Sequence, residues 1–372
     1  MFETTSPGGD QGPRARRRGE TSVLGRMALG DEYEDLVRPL FMRVRWARLG
    51  ALRCVCRRFR DIINSERFMR LRSKGGWAEE VIFSTGATAA GDTERPTSMQ
   101  ALVEGRWRIL AALPAQLGLH AVAECGGELL ITGSNSSAGV FDPTVHIYSA
   151  ATNSWRRNGA VHAAFSSCRS CAVIEQTKMM CIGTGLNTGD DFVVESATFE
   201  PSTNTWTLLP RMPRCVFASA CTSVDDARFF VAGGIIAGAT TVDILQVYDS
   251  TTNAWSIKSP IPLALSFGGP VVAKGKFYVV GGRDGACQPL RSLFAFDLAN
   301  ETWEQGPDIP DQGPSGRCAV GLRGEDEILV LGLAGGRHAT FDLHAQTWSL
   351  LDATDVLSQR TFATSLPHFS RK

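Results

Sequence analysis

Short apolar runs separated by glycines and polar turns recur along the chain from about residue 77 onward. In one copy, the run Phe229–Ala232 leads into Gly233-Gly234, a polar loop follows, a second run ends at Tyr248-Asp249, and Trp255 comes after a turn. Each full copy supplies four apolar runs bounded by Gly, Pro, Asn and Ser. Runs of this length with such boundaries predict four β-strands per copy.

A tryptophan recurs with this pattern along the chain. The six positions are Trp107, Trp155, Trp206, Trp255, Trp303 and Trp348, which gives a period of about 50 residues, typical of a repeat protein. Five copies are complete, three further strands precede them and one strand near 360–366 follows. Because an open ring would leave sheet edges unpaired, we expect that last strand to complete the first blade. The predicted fold is mainly β, a six-bladed propeller over residues 77–368.

The recurring residues have structural explanations. A paired glycine lets strands converge and accepts a positive φ. The tryptophan is large enough to fill the gap between neighbouring blades, and the preceding Tyr or Phe packs in the same layer. Pairs such as Thr252-Asn253 favour the turn between strands three and four. This order of glycine pair, aromatic residue and tryptophan resembles the kelch repeat, and the resemblance covers about three quarters of the chain.

A helical pattern occupies residues 25–74, ahead of the repeats. Leu36, Leu40 and Val44 lie at i, i+4 and i+8, and further apolar residues continue at three- and four-residue steps while arginines fill the other face. A segment this short buries little core of its own, so its apolar side is predicted to meet a partner or the rest of the chain.

The stretch from Leu49 to Ile63 resembles the second half of an F-box, and Ser65-Glu66-Arg67-Phe68 resembles the sequence that follows that motif. Together with the repeats, the chain resembles plant-type F-box/kelch proteins. The resemblance implies a substrate-recognition subunit of an SCF-type (Skp–cullin–F-box) ubiquitin ligase that contributes no catalytic group. The residues that would bind the Skp adaptor, and through it a cullin, are Leu40, Val44, Leu49, Leu52, Val55, Cys56 and Phe59.

The propeller would then hold a target protein. Loops after the paired glycines and connections between blades emerge on one face, and the loops differ between repeats, which suits recognition of another protein. The candidate target-binding residues are Arg283, Asp284, Arg291, Arg337 and His338. For each of them, an ordinary solvated loop residue is the alternative.

The net charge differs between two parts of the chain, although Lys plus Arg and Asp plus Glu balance at 38 each over its whole length. Residues 1–76 hold 17 basic against 9 acidic residues, and the remainder holds 21 against 29, which favours two parts with different roles. The overall balance predicts no nucleic-acid partner. Residues 1–24 have the composition of a disordered basic tail. With no secretion signal and no apolar run of about 18 residues, we expect no membrane partner, reduced thiols and a cytoplasmic or nuclear location.

Two alternative roles for the helical segment stay open, and so does a third class of protein. Pro39 and a long spacing depart from the F-box pattern, so the helical segment could be a non-docking F-box on a propeller scaffold, or a helical cap on the repeats. An enzyme is the third class. The sequence shows no clustered His and carboxylate ligands, nucleophile elbow or phosphate loop, so no catalytic residue, cofactor or metal is predicted.

Overall fold

The structure is a computed structural model of the 372-residue chain. It describes residues 38–41, 43–44, 52, 54–65, 67–68, 71, 82–86, 98–103, 106–113, 117–125, 128–135, 141–149, 153–160, 167–186, 192–310, 314–333, 337–351 and 362–365. The basic tail predicted over residues 1–24 lies outside the described residues.

One helix and 26 strands have bounds that lie within the described residues, and residues 38–41 are also helical. In chain order they are α1 (Arg57–Asn64), β1 (Ile82–Gly86), β2 (Ser98–Val103), β3 (Arg106–Ile109), β4 (Leu117–Cys125), β5 (Glu128–Asn135), β6 (Phe141–Ser149), β7 (Ser154–Ala160), β8 (Ser167–Ile174), β9 (Lys178–Leu186), β10 (Phe192–Glu200), β11 (Thr205–Leu208), β12 (Ala220–Ser223), β13 (Arg228–Ala232), β14 (Ile235–Ile236), β15 (Thr240–Thr241), β16 (Leu245–Asp249), β17 (Ala254–Lys258), β18 (Gly269–Ala273), β19 (Lys276–Val280), β20 (Leu293–Asp297), β21 (Thr302–Gln305), β22 (Pro314–Arg323), β23 (Glu327–Leu333), β24 (His338–Asp342), β25 (Thr347–Leu351) and β26 (Phe362–Ser365).

Five four-stranded antiparallel sheets each come from one contiguous repeat, and we call them blades 1 to 5. They are β4-β5-β6-β7, β8-β9-β10-β11, β12-β13-β16-β17, β18-β19-β20-β21 and β22-β23-β24-β25. The first strands of neighbouring blades contact one another, so β8 lies beside β4 and β12, and β18 lies beside β12 and β22. The loops between second and third strands and the connections from one blade to the next share one side of the propeller, here called the loop face.

The prediction of six blades is wrong, and the fold class is a mainly β propeller with five blades. The strands assigned to a sixth, composite blade form a separate sheet, β26-β1-β2-β3, here called the terminal sheet. In its register Trp107 lies opposite Leu102, whereas the tryptophan of every blade lies opposite Tyr or Phe. Strand signals alone therefore overcounted the repeat.

The terminal sheet joins the two ends of the repeat region. Strand β1 pairs antiparallel with β26, Ile82 lying opposite Ser365. Strand β26 also contacts β22 of blade 5 and β4 of blade 1. The sheet therefore lies between the last and the first blade.

The core lies between the blades, as the bulk of the recurring aromatic residues predicts. One cluster combines Phe230 of blade 3 with Phe277 and Phe296 of blade 4, and all three are buried. In blades 1, 3, 4 and 5 the tryptophan Nε1 donates a hydrogen bond to a carbonyl of the connection that precedes the blade. Trp303 Nε1 donates to the Ser259 carbonyl at 2.9 Å, and Trp348 Nε1 donates to the Pro307 carbonyl at 2.8 Å.

The turn before each tryptophan has a left-handed residue at the same position in all five blades. These residues are Asn153, Asn204, Asn253, Glu301 and Gln346, with φ between +49° and +56°. Asparagine tolerates this conformation better than most residues. In blade 3 the Tyr248 hydroxyl also donates to Asn253 Oδ1 at 2.9 Å, which fixes the turn against the aromatic pair.

No helix among the described residues combines the length and apolar character that crossing a membrane requires.

Candidate interaction surfaces

The helical segment is built around α1, which the sequence caps at both ends. At its start, Cys56 adopts an extended conformation and its Sγ accepts a hydrogen bond from the Phe59 amide at 3.5 Å. At its end, the Ser65 hydroxyl donates to the Ile62 carbonyl at 2.7 Å and accepts from the Phe68 amide at 3.2 Å. Capping satisfies backbone groups that the helix itself leaves without partners.

The segment has a small core of its own, formed by Phe41, Ile62, Ile63 and Phe68, which are buried. Phe59 packs edge-on against Phe41, with ring centroids 4.6 Å apart and an interplanar angle of 77°. Arrangements of this kind are favourable for aromatic pairs. The apolar side of the segment is therefore partly closed by its own side chains.

The seven predicted adaptor-binding residues differ in whether they pack against this core. Val44, Leu52 and Phe59 pack against it and are half-buried. Leu40 and Val55 point outward, 64% and 63% exposed, and Cys56 is exposed as well. The seventh, Leu49, lies outside the described residues.

The sequence pattern missed Phe41, the buried aromatic residue of this core. The helical period that linked Leu36, Leu40 and Val44 assigned Leu40 to the apolar side, yet Leu40 is exposed and its neighbour Phe41 is 6% exposed. The larger ring is a signal that favours the inward position, because it removes more apolar surface from water.

On the loop face, paired glycines bring the loops against the connections between blades. A Cβ on Gly282 would lie 2.6 Å from the Ser266 carbonyl oxygen, and Gly282 has a φ of +105°. Both facts require glycine here. The chain that leaves the second strand of blade 4 can therefore run directly beside the connection from blade 3.

The loop that follows holds three of the predicted target-binding residues. Asp284 Oδ1 accepts hydrogen bonds from the amides of Ala286 at 2.9 Å and Gln288 at 2.8 Å. Arg283 donates from Nη1 to the Cys287 carbonyl at 2.7 Å. Asp284 and Arg283 thus shape the loop, and its tip, including Ala286 and Cys287, is exposed.

Arg291 ends this loop and Arg337 lies in the corresponding loop of blade 5. Arg291 is exposed, and its Nε donates to the Ile309 carbonyl at 2.7 Å. That bond fixes the direction of the side chain and uses one of the five guanidinium N–H donors. Arg337 is exposed, and its carbonyl accepts a hydrogen bond from the Leu333 amide at 3.0 Å.

His338 is not on the surface, although the sequence suggested it for target binding. It is 6% exposed, and its Nδ1 accepts a hydrogen bond from the Gly332 amide at 3.3 Å. Its Nε2 is buried without a hydrogen-bond partner among the described residues. Burial lowers the pKa of His338, partly offset by a hydrogen bond with the Arg337 backbone. A neutral ring with its proton on Nε2 suits this site.

The His338 site predicts a pH dependence of stability. Since the folded pKa lies below the ordinary value of 6.5, the unfolded chain binds the proton more readily, and folding stability falls as the pH drops through about 6.5. The slope is at most about 1.4 kcal/mol per pH unit for one group. Denaturant unfolding at pH 7.5 and 5.5 measures the loss, and His338→Phe should reduce it. An identical loss in wild type and variant would contradict the prediction.

The loop of blade 3 differs in form from that of blade 4. It is a short hairpin in which β14 pairs with β15, and Ile235 also pairs with Phe217 of the preceding connection. Its tip, residues 237–240, is exposed. The corresponding loops of blades 1 and 2, residues 134–144 and 186–191, lie partly outside the described residues. Blades 3 and 4 therefore present different surfaces on the described part of the loop face.

The residues that the structure describes show no arrangement typical of a metal-dependent or thiol-dependent catalytic site. Within the described ranges no group of three or more His, Cys, Asp or Glu side chains is placed to hold a metal ion. Cys56, Cys125, Cys215 and Cys287 form no disulfide bond. Burial and, to a smaller extent, nearby glutamates raise the pKa of the Cys125 thiol to about 12. This thiol therefore stays protonated at neutral pH and is a poor nucleophile.

Comparison with known proteins finds similarity to kelch-repeat proteins. Residues 264–310 match the Kelch motif. The chain is 24% identical over 303 residues to Kelch-like protein 35 of Mus musculus, covering 79% of this chain and 47% of that protein. Two F-box/kelch-repeat proteins of Arabidopsis thaliana match at 30% identity (59% of this chain, 55% of the relative) and 25% identity (73% and 70%).

A solved structure described as that of YjhT has the same fold, with a TM-score of 0.55, 16% identity, and coverage of 68% of this chain and 91% of that one. The chain spans about half the length of the first curated relatives that it matches. The structural likeness supports the propeller fold, and the sequence matches are to proteins with kelch repeats.

Proposed function

We propose that this chain is the substrate-recognition subunit of an SCF-type ubiquitin ligase, in which the helical segment binds a Skp-type adaptor and the loop face of the propeller binds a target protein. The observation that carries the proposal is the pair of exposed aliphatic side chains, Leu40 and Val55, on a segment with its own small core. Large apolar side chains exposed this far are suited to burial against a partner. The relatives named F-box/kelch-repeat proteins support the same role.

The mechanism is proximity. The adaptor, and through it a cullin, would hold the chain near a ubiquitin-conjugating enzyme, and the propeller would hold the target beside it. Tethering raises the effective concentration of a target lysine without any catalytic group from this chain. Arg291 and Arg337 are exposed on the loop face and suited to contact the target, while Arg283, Asp284 and His338 hold the loops in shape.

The test is a pull-down of purified Skp-type adaptor by the full chain carrying Leu40→Asp and Val55→Asp. Both side chains are exposed, so the double variant should fold as wild type does while charge replaces the apolar contact. We expect at least a tenfold loss of adaptor recovery, since each buried aliphatic side chain contributes about 1.5–3 kcal/mol.

Two controls make this result specific. Ile257→Asp alters an equally exposed aliphatic residue, 56% exposed, on the outer strand of blade 3, and it should leave recovery unchanged. Leu52→Asp would disturb the internal core of the segment, so it is a control for unfolding and not for docking. Equal recovery by wild type and the double variant would refute adaptor binding.

An interaction scaffold that binds a target without an adaptor is the second candidate. The inward packing of Val44, Leu52 and Phe59 favours it, because these side chains are then less accessible to an adaptor. The two candidates differ in one measurement. The scaffold predicts that wild type recovers no more adaptor than the double variant, while affinity purification from cells still recovers a propeller-bound protein.

A further inference from the structure

A small cavity lies at the seam between blades 4 and 5, with a volume of about 230 Å³. One wall is the face of blade 4 that packs toward blade 5, where Tyr278, Ala295 and Glu304 lie opposite one another across β19, β20 and β21. On the other side is Gln346, in the turn before β25 of blade 5. Glu304 and Gln346 are exposed, so the cavity opens to solvent.

The cavity is associated with a residue that is small for its position in the repeat. Ala295 directly precedes Phe296, the aromatic residue that lies opposite Trp303. The residues that directly precede the corresponding aromatic residue in the other four blades are all larger than alanine, and they are Ile147, Thr198, Val247 and Thr340. Where a branched side chain is replaced by a methyl group, the neighbouring side chains leave space unfilled.

A hydroxyl also distinguishes this blade from the others. Tyr278 lies opposite Ala295, and the residues at the same register position in the other blades are all apolar, namely Leu130, Met180, Phe230 and Leu329. The repeat therefore requires an apolar side chain here and no hydroxyl. Tyr278 is 5% exposed, and its hydroxyl makes no hydrogen bond with any residue that the structure describes. A buried polar group without a partner costs free energy and calls for an explanation.

The hydroxyl of Tyr278 lies on the cavity side of its ring. Burial raises the pKa of Tyr278 above its ordinary value of 10.0, while the charge of Lys276 lowers it and that of Glu304 raises it. Both charged residues line the cavity, which places the phenol oxygen among them. The hydroxyl is therefore protonated at neutral pH and is available as a hydrogen-bond donor.

The walls of the cavity select the kind of molecule that fits. Lys276 and Glu304 form an ion pair with each other, at 2.5 Å, so a charged ligand gains no free counter-ion and loses its hydration. Leu293 and Ala295 supply apolar surface. An apolar cavity of about 150 Å³ holds a benzene ring, whereas drug-sized ligands occupy about 300–1,000 Å³. The volume therefore suits a substituted ring or a short branched chain.

We propose that this cavity binds a small neutral molecule whose carbonyl oxygen accepts a hydrogen bond from the Tyr278 hydroxyl and whose ring or short chain packs against Leu293 and Ala295. The site lies apart from the loops and from the helical segment, so the proposal depends on neither target binding nor adaptor binding. A bound molecule contacts two blades and stabilises the folded propeller by mass action.

The experiment titrates the full chain with three fluorinated probes, observed by fluorine NMR, and measures melting temperatures with and without each probe. The probes are para-fluoroacetophenone, which is neutral and has a carbonyl, para-fluorotoluene, which lacks an acceptor, and para-fluorobenzoate, which is an anion. Tyr278→Phe removes the hydroxyl alone, and Ala295→Val fills the cavity with the residue that blade 3 has there. Tyr248→Phe is the matched control, since it removes a hydroxyl that donates to Asn253 Oδ1 at 2.9 Å.

The ketone should bind wild type more tightly than the other two probes do, and it should raise the melting temperature. Tyr278→Phe should weaken ketone binding about three- to tenfold, the value of one net hydrogen bond, with a melting temperature equal to wild type or higher because no bond is lost. Ala295→Val should abolish binding. The control should show the opposite pattern, a lower melting temperature and unchanged ketone affinity.

Four results would overturn the proposal. The first is no saturable binding of the ketone at millimolar concentration, which would leave a water-filled gap only. The second and third are an unchanged ketone affinity in Tyr278→Phe or in Ala295→Val. The fourth is a fall in the melting temperature of Tyr278→Phe as large as that of Tyr248→Phe, which would make the Tyr278 hydroxyl part of the folded framework.

Discussion

Gly233→Ala should destabilise the propeller by about 3 kcal/mol or more, because it combines backbone strain with a steric clash. Gly233 has a φ of +63°, and a Cβ there would lie 2.3 Å from the Leu265 carbonyl oxygen. That oxygen accepts a hydrogen bond from the Gly234 amide at 2.8 Å, so moving it away also costs a bond between a loop and the next connection. Urea denaturation followed by tryptophan fluorescence measures the change in unfolding free energy.

Gly275→Ala is the matched control for this prediction. Gly275 has a similar φ of +72°, but nothing lies within 4 Å of the position that its Cβ would take. The control should therefore cost only the left-handed penalty, about 1 kcal/mol. Equal losses at the two positions would show that the close approach between loop and connection does not contribute.

Trp303→Ala should cost about 3 kcal/mol, since it empties the space between blades 3 and 4. The indole lies against Phe296 and Phe277, with ring centroids 5.1 and 6.2 Å away. It also donates a hydrogen bond across to the Ser259 carbonyl. The loss should appear as a lower denaturant midpoint of one cooperative transition, because the side chain joins two blades.

Trp303→Phe separates packing from hydrogen bonding. Phenylalanine keeps an aromatic ring in the layer and loses the Nε1–Ser259 bond, for which we expect about 1 kcal/mol. If the Phe and Ala variants were equally destabilised, the hydrogen bond and not the packing would account for the role of Trp303.

Repeat spacing predicted much of the propeller correctly. The aromatic partner of each tryptophan, such as Phe341 opposite Trp348, follows from the order of signals, and the structure pairs the two rings with centroids 4.9 Å apart. The count of blades was wrong because apolar runs at the two ends of the repeat region are strands without being repeats. Strand signals are local, whereas membership in a repeat depends on the residue that each tryptophan faces.

The candidate surfaces were harder to predict, since exposure depends on tertiary packing. Helical spacing alone gave Leu40 and Leu52 the same role, yet Leu40 is exposed and Leu52 packs on Ile62 and its neighbours. On the loop face, composition selected Asp284 and His338 as polar residues. Their hydrogen bonds to nearby amides are invisible in a sequence.

The left-handed conformation of Phe267, with a φ of +58°, also left no sequence signal. Glycine and asparagine in a sequence can indicate a positive φ, whereas phenylalanine does not. Phe267 was also not among the predicted target-binding residues. The adjoining Gly268 has no positive φ, and its Cβ would lie 2.8 Å from Val279 Cγ1. Close packing therefore explains that glycine.

The pairing of β1 with β26 sets the order of events during synthesis. The ribosome delivers Ile82 early and Ser365 only after all five blades, so the terminal sheet stays incomplete while the intervening strands emerge. Contacts between distant parts of a chain slow folding, and an unpaired strand edge invites association with other chains. A nascent chain that pauses after blade 5 therefore carries an open edge, and release of Phe362–Ser365 from the exit tunnel is the step that closes it.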